Sequence, residues 1–357
     1  MQELPFPSLS QQILQDLAGG NCAAVTGLSN TGKTTLMQAL ASPPAARLYR
    51  QAARREAGLV FVDCNRAVAI TPQAFYEIVL RSLLEYLTPA GPPELAASIR
   101  DYHFSVTDAE TAFQASLSFN LALTEACAGL AKDLCLLIDE FDELYMTLDD
   151  RALLNLRALR DRFPQQLMFV TATLRSLSSL RGVVLEDEFA EMFSRSTHSM
   201  QPLTQDEGLA LLRDLKLLDL TPERALTAWG VSGGHPGMLI AAGLALADEP
   251  GVAGSPPGEH VIRHPAARAE CLKIWNQLTP GEQADLAARV VEAAVAGGAP
   301  PSPETEDLGL LSEGKVRSEL LAAFVRLRGH AGEGRAPGIR IDPDSGEVSV
   351  DGVRVPV

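Results

Sequence analysis

Positive charge is scarce in this chain: 30 Lys and Arg stand against 45 Asp and Glu in 357 residues, a formal net charge of −15. A surface acidic on average excludes a protein that coats nucleic acid or anionic membrane by bulk charge, and leaves room only for a local basic face. Aromatic residues make up 5%. The arginine clusters at 47–55 and 151–162 hold a single aromatic, Tyr49, so they read as solvated faces rather than as platforms for single strands. The five cysteines (Cys22, Cys64, Cys127, Cys135 and Cys271) form no C-x-x-C pair. Three of them lie in apolar runs, and they read as buried free thiols of a reducing compartment. No apolar run approaches the roughly 18 residues of a membrane-spanning helix. The opening MQELPFPSLSQQ lacks the basic start and apolar stretch of a signal peptide. The chain is therefore read as cytoplasmic, with no membrane partner. Lysine is the rarest charge, five residues against 25 arginines, and one of those five, Lys33, falls in the most informative motif.

Apolar material is plentiful. Hydrophobic residues are 46% and charged residues 21%, enough for a sizeable core, and the length fits about two to three domains. Helical spacing over 8–18 ends at Gly19-Gly20, and Cys22–Val25 follows as a short apolar strand. A Gly-containing turn then leads into a helix at about 33–42. Gly58–Asp63, Leu134–Ile138 and Leu167–Thr171 read as further strands, with a fifth near His198–Leu203. Helices at 72–88, about 109–131 and 150–163 alternate with them, and the Pro- and Gly-bearing stretch 89–108 is left unassigned. This alternation predicts an α/β fold built on a five-stranded parallel sheet, with helices on both faces.

After Leu203 the strands stop. The expected division is an α/β nucleotide domain at 1–203, a helical lid at 204–250, a Gly- and Pro-rich linker at 251–267, a helical domain at 268–330 and a tail at 331–357. The tail has short alternating runs around Asp351-Gly352, a hairpin signal.

Gly27-Leu-Ser-Asn30-Thr31-Gly32-Lys33-Thr34 fits G-x-x-x-x-G-K-[ST]. Glycines let the backbone curl so that its N–H groups face phosphate oxygens, and a helix starting near Lys33 adds its positive end. Lys33 should reach the β- and γ-phosphates and Thr34 should offer its hydroxyl to Mg²⁺. Gly27, Asn30, Thr31, Gly32, Lys33, Thr34 and Thr35 are the candidate nucleotide contacts.

The apolar strand Leu134–Ile138 ends in Asp139-Glu140. Asp at this point in a P-loop protein holds Mg²⁺ through water, and the adjacent Glu can polarise an attacking water. Asp142 and Glu143 read as a solvated or N-terminal helix face. The fourth strand ends Thr171-Ala-Thr173-Leu-Arg175. If that strand lies between the loop and the acidic strand, Thr173 or Thr171 could contact the γ-phosphate or the water, with Arg175 as an alternative phosphate sensor. Arg195, just ahead of the fifth strand, could reach a neighbouring subunit's γ-phosphate.

GLSNTGKTT, LCLLIDEFDEL, FVTAT, F-x-x-x-F-S-R followed by MQPLTQDEGLALL, and SGGHPGML together resemble the AAA+ and STAND (signal-transduction ATPase with numerous domains) groups of P-loop ATPases, in a bacterial, origin-initiator-related lineage. The resemblance implies that Pro236 packs near an adenine and that His235, or the helix after it, approaches the phosphates. It also implies that 268–330 is a winged-helix domain and that the tail looks like the opening strands of a further winged helix, either cut short at Val357 or serving as hairpins for another contact. The lid helix at 237–246 lacks the arginine that ring motors of this group carry, which favours a switch. The expected ligands are ATP or ADP with Mg²⁺. The expected activity is slow, regulatory ATP hydrolysis that controls conformation, assembly or binding of a partner protein. The competing expectation is a loader or initiator that assembles on DNA, with Arg195 completing a neighbour's site.

Overall fold

Nine of the described helices begin at a proline. The ring fixes φ near its helical value, and the N–H it lacks is one that a first helical turn leaves unpaired anyway. The computed structural model describes residues 4–181, 187–215, 220–248, 256–292, 308–333, 339–341, 348–350 and 353–355. They fall into two compact units, 1–200 and 201–357.

In the first unit the order is α1 (Pro7–Ala18), β1 (Ala23–Thr26), α2 (Lys33–Leu40), α3 (Pro43–Ala53), β2 (Ala57–Asp63), α4 (Pro72–Ala90), α5 (Pro93–Thr107), α6 (Ala112–Gly129), β3 (Asp133–Asp139), α7 (Asp142–Thr147), α8 (Asp150–Arg162), β4 (Leu167–Thr173), α9 (Leu177–Leu180), α10 (Glu188–Glu191) and β5 (Thr197–Ser199). The five strands form one parallel sheet in the order β2-β3-β4-β1-β5. The unassigned stretch 89–108 is mostly α5, and the fifth strand is shorter than expected.

Every residue of β3 and β4 is buried. Alternate side chains leave the sheet on opposite sides, as the period of two demands. Leu134, Leu136, Ile138, Leu167 and Phe169 join one core with residues of α4, α5, α6 and α8. Cys135, Leu137, Met168, Val170 and Ala172 join the other with residues of α1, α2 and α3. Burial of this extent, at roughly 25 cal/mol per Å² of apolar surface, is the main favourable term holding the sheet. All five cysteines are buried free thiols.

The second unit runs α11 (Gln205–Asp214), α12 (Pro222–Ser232), α13 (Pro236–Asp248), α14 (Pro257–Val261), α15 (Pro265–Gln277), α16 (Pro280–Glu292), the antiparallel pair β6 (Leu311–Ser312) and β7 (Lys315–Val316), and α17 (Glu319–Glu333). An antiparallel meander of β8 (Ile339–Ile341), β9 (Val348–Val350) and β10 (Val353–Val355) follows. Helix α14 lies within the stretch read as linker. Ser318 caps α17 through the Leu321 amide and donates its hydroxyl to the Val231 carbonyl at the end of α12. Among the described residues no helix is long and apolar enough to cross a membrane.

Candidate nucleotide site

Register brings the strand ends level. Thr26 of β1 pairs with Thr173 of β4, and Asp63 of β2 with Asp139 of β3. In open parallel sheets ligands bind outside these carboxyl ends, where the strand order reverses. Here β1 lies between β4 and β5, and the loop after β1 leaves the sheet at that edge.

The Gly27 amide still pairs with the Thr173 carbonyl at 3.1 Å, after which the chain curls. Asn30 and Gly32 adopt positive φ, +60° and +99°. The Thr31 hydroxyl donates to the Leu28 carbonyl at 2.7 Å and braces the loop from inside. Lys33 is buried, and its ammonium donates to the carbonyls of Gly27 (2.7 Å) and Leu28 (3.2 Å). Gly32 caps α2, whose exposed first turn carries Thr34 and Thr35.

Two residues outside the motif also shape this loop. A Cβ on Gly32 would sit 2.6 Å from Cζ of Phe6, and a Cβ on Gly27 would sit 3.0 Å from Cβ of Met200. Phe6 itself has φ +50° ahead of α1. No periodicity marks Phe6 or Met200 in the sequence; only the fold brings them to the loop.

Asp139 ends β3, one strand away from the loop across β4. Neither of its carboxylate oxygens, both buried, has a hydrogen-bond partner that meets strict geometry. Burial pushes its carboxyl up to about 6; the neighbouring Glu140 adds to the shift, while the Thr34 hydroxyl and the Lys33 ammonium oppose it. Glu140 is exposed and holds φ +52°, a left-handed conformation that costs a non-glycine residue on the order of 1 kcal/mol.

Asp142, read from the sequence as a solvated or N-terminal helix face, does begin α7. Its side chain is half-buried, however, and its Oδ1 accepts from the Leu174 amide at 2.7 Å. The Thr173 side chain is fully buried, and its hydroxyl donates to the Arg175 carbonyl at 2.7 Å. Thr171 lies two residues deeper in the same strand.

Arg195 is exposed, in the turn before β5. Because the Ala24 amide pairs with the Ser196 carbonyl, Arg195 lies beside the start of β1, roughly 16 Å below the loop at about 3.3 Å per residue.

His235 and Pro236 belong to the second unit. Gly233 and Gly234 before them have φ +63° and +81°. His235 is buried and its Nδ1 accepts from the Met238 amide at 3.3 Å, while Pro236 opens α13.

The first unit thus gathers Gly27, Asn30, Thr31, Gly32, Lys33, Thr34, Thr35, Asp139, Glu140 and Thr173 at one sheet edge. Backbone amides, a helix N-terminus and one ammonium there suit a chain of phosphates. Among the described residues no group of three or more His, Cys, Asp or Glu is placed to hold a metal. One buried carboxylate and one hydroxyl fit Mg²⁺, which keeps several waters and takes phosphate oxygens as ligands.

Residues 16–180 match the family model described as an AAA domain. No curated protein matches the chain. Among solved structures it is similar to a Walker-type ATPase of Pyrococcus abyssi, with TM-score 0.53 and 15% identity over 89% of this chain and 95% of that one. It is also similar to the ORC2 protein of Aeropyrum pernix in ADPNP and ADP complexes, with TM-score 0.51 and 12% identity over 90% and 93%. At these identities the likeness is one of fold. The match to the AAA domain model covers residues 16–180, and the five-stranded parallel sheet has the P-loop ATPase fold.

Proposed function

We propose that this protein binds ATP with Mg²⁺ and hydrolyses it slowly, as a switch whose nucleotide state controls conformation, assembly or the binding of a partner protein. One observation carries the reading. Asp139 lies one strand away from the phosphate-binding loop, with both carboxylate oxygens buried and without a hydrogen-bond partner at strict geometry. A carboxylate in that state is costly at neutral pH unless a cation completes it.

Lys33 exchanges the loop carbonyls for the β- and γ-phosphates. The amides of 27–34 cradle the phosphate chain, and Asn30, Thr31 and Thr35 line it. Thr34 and Asp139 hold the ion, which when bound neutralises charge on the phosphate oxygens. Glu140, exposed at the strand end, takes a proton from the attacking water. Thr173 fixes the chain between loop and acid, and its hydrogen bond to the Arg175 carbonyl supports a positioning role. His235 and Pro236 are proposed as nucleotide contacts on the resemblance of SGGHPGML alone. The helices of 268–330, with the β6–β7 hairpin among them, support a winged-helix reading of that segment.

A second reading, a loader or initiator assembling on DNA, is favoured by Arg195. It is exposed and far from its own loop, as a residue completing a neighbour's site would be.

The test is nucleotide extraction and phosphate release on the purified protein. Wild type is expected to carry ADP or ATP and to turn over slowly with Mg²⁺; Glu140→Gln retains ATP and stops turnover. A protein that purifies without nucleotide and shows no Mg²⁺-dependent phosphate release overturns the proposal. Arg195→Ala separates the readings: loss of hydrolysis with retained binding, together with stimulation by DNA, selects the loader.

A further inference from the structure

The four arginines of α8 differ in their surroundings. Arg151 and Arg162 are exposed, whereas Arg157 and Arg160 are half-buried. These two line a cavity of about 180 Å³ with Asn21, Cys22, Asp161 and Met192, the space of roughly six waters. It lies at the amino end of β1, at the opposite end of that strand from the phosphate loop. Cys22 is its buried floor, and the thiol accepts from the Phe169 amide at 3.4 Å. Burial raises the pKa of this thiol, while the Phe169 amide, Arg160 and Arg157 oppose the rise, so both guanidiniums act on the same floor.

The main chain holds both side chains in place. Arg160 Nη2 donates to the Gly20 carbonyl in the turn between α1 and β1, and Arg157 Nη1 to the Glu188 carbonyl at the start of α10, each at 2.5 Å. Arg157 Nε donates to Asp161 at 3.0 Å. These bonds use a minority of the N–H groups of each guanidinium. Like charges three residues apart on a helix repel, and fully solvated arginines would swing apart; here two carbonyls keep them at one opening. Among the described residues Asp161, with its side chain 60% exposed, is the one carboxylate paired with them. The cavity is therefore net positive in a chain of net charge −15, and its donors are fixed before any ligand arrives.

We propose that this cavity is a second anion site, separate from the phosphate loop, that takes a phosphate group: inorganic phosphate or the end of a small phosphate ester. A tetrahedral dianion has oxygens for two guanidinium forks and matches their summed charge, whereas a carboxylate fills one fork.

The test is calorimetric titration of sodium phosphate, at fixed ionic strength, into the full chain saturated with Mg²⁺ and a non-hydrolysable ATP analogue, so that the loop is filled. One phosphate per chain is expected, with a Kd on the order of 1 mM. Arg157→Gln should weaken it at least about tenfold. Asp161→Asn, at an exposed position, should tighten it about threefold by removing the competing carboxylate, an effect that an arginine serving only to pin α10 would not produce. Lys33→Ala without nucleotide should bind phosphate as wild type does, which keeps this site distinct from the loop whether or not the loop takes ATP. Glycerol phosphate names the source: binding tighter than phosphate selects an ester, and weaker binding the free ion. Absence of saturable phosphate binding, equal affinity in wild type and Arg157→Gln, an Asp161→Asn protein that binds no more tightly than wild type, loss of binding in Lys33→Ala, or acetate bound as tightly as phosphate overturns the proposal.

Discussion

The Leu174 amide donates to Oδ1 of Asp142 at 2.7 Å, tying the end of β4 to the first turn of α7. The turn that carries Thr173 and Arg175 is thereby held against the helix that follows Asp139-Glu140. Asp142→Ala is expected to cost about 1–3 kcal/mol in denaturant unfolding, because it leaves a half-buried N–H unpaired. ATP hydrolysis should fall roughly tenfold through displaced strand ends, with ATP affinity changed less than about threefold. Asp142→Asn keeps an acceptor and should restore most of the rate; a variant no better than alanine would show that charge, not position, matters there.

Gly32 combines φ +99° with the Phe6 ring lying 2.6 Å from where its Cβ would be. Gly32→Ala should therefore lose nucleotide binding and about 1–3 kcal/mol of stability. Adding Phe6→Ala relieves the collision and leaves the backbone strain. The double variant is expected to regain part of the stability, read by thermal melting, and little of the binding.

Asp139 gives a pH signature. Folding raises its carboxyl from 3.8 to about 6, so the folded state holds this proton more tightly than the unfolded one. Stability of the nucleotide-free protein contributed here therefore falls as pH rises through that window. Asp139→Asn removes the effect. Without Mg²⁺ or nucleotide the variant should exceed wild type by up to about 3 kcal/mol at pH 7, with the gap closing below pH 4. Mg²⁺ with ATP should reverse the order at pH 7.

Buried thiols are protonated and slow. Burial pushes Cys127 and Cys271 up to about 12 and raises Cys22, Cys64 and Cys135 as well. A soluble thiol reagent is expected to label none of the five in the native protein within minutes and all of them in denaturant; rapid native labelling of any one would place that residue at an opening segment.

The central strands and the phosphate loop were legible because their signals are local. The alternation of Leu134–Ile138 maps onto two cores, and the GLSNTGKTT spacing marks a strand, a turn and a helix. Helices α3 and α5 were not legible. In the sequence 89–108 stays unassigned for its Pro and Gly and 43–53 carries no assignment, whereas Pro43 and Pro93 begin helices. The anchoring of Leu174 by Asp142, and the approach of Phe6 and Met200 to the loop, are set by strand order and long-range packing. In the sequence Asp142 is one acid among several after a strand, and nothing distinguishes it from a solvated one.

The most direct test is calorimetric titration of Mg²⁺ and ATP into wild type and a folded Lys33→Ala protein. Lys33 alone supplies the ammonium that now donates to the carbonyls of Gly27 and Leu28. Wild type should bind one ATP per chain, and Lys33→Ala at least about 100-fold more weakly, the equivalent of roughly 2.7 kcal/mol. Equal affinity in the two proteins would contradict a phosphate-binding role for the loop between Gly27 and Thr34.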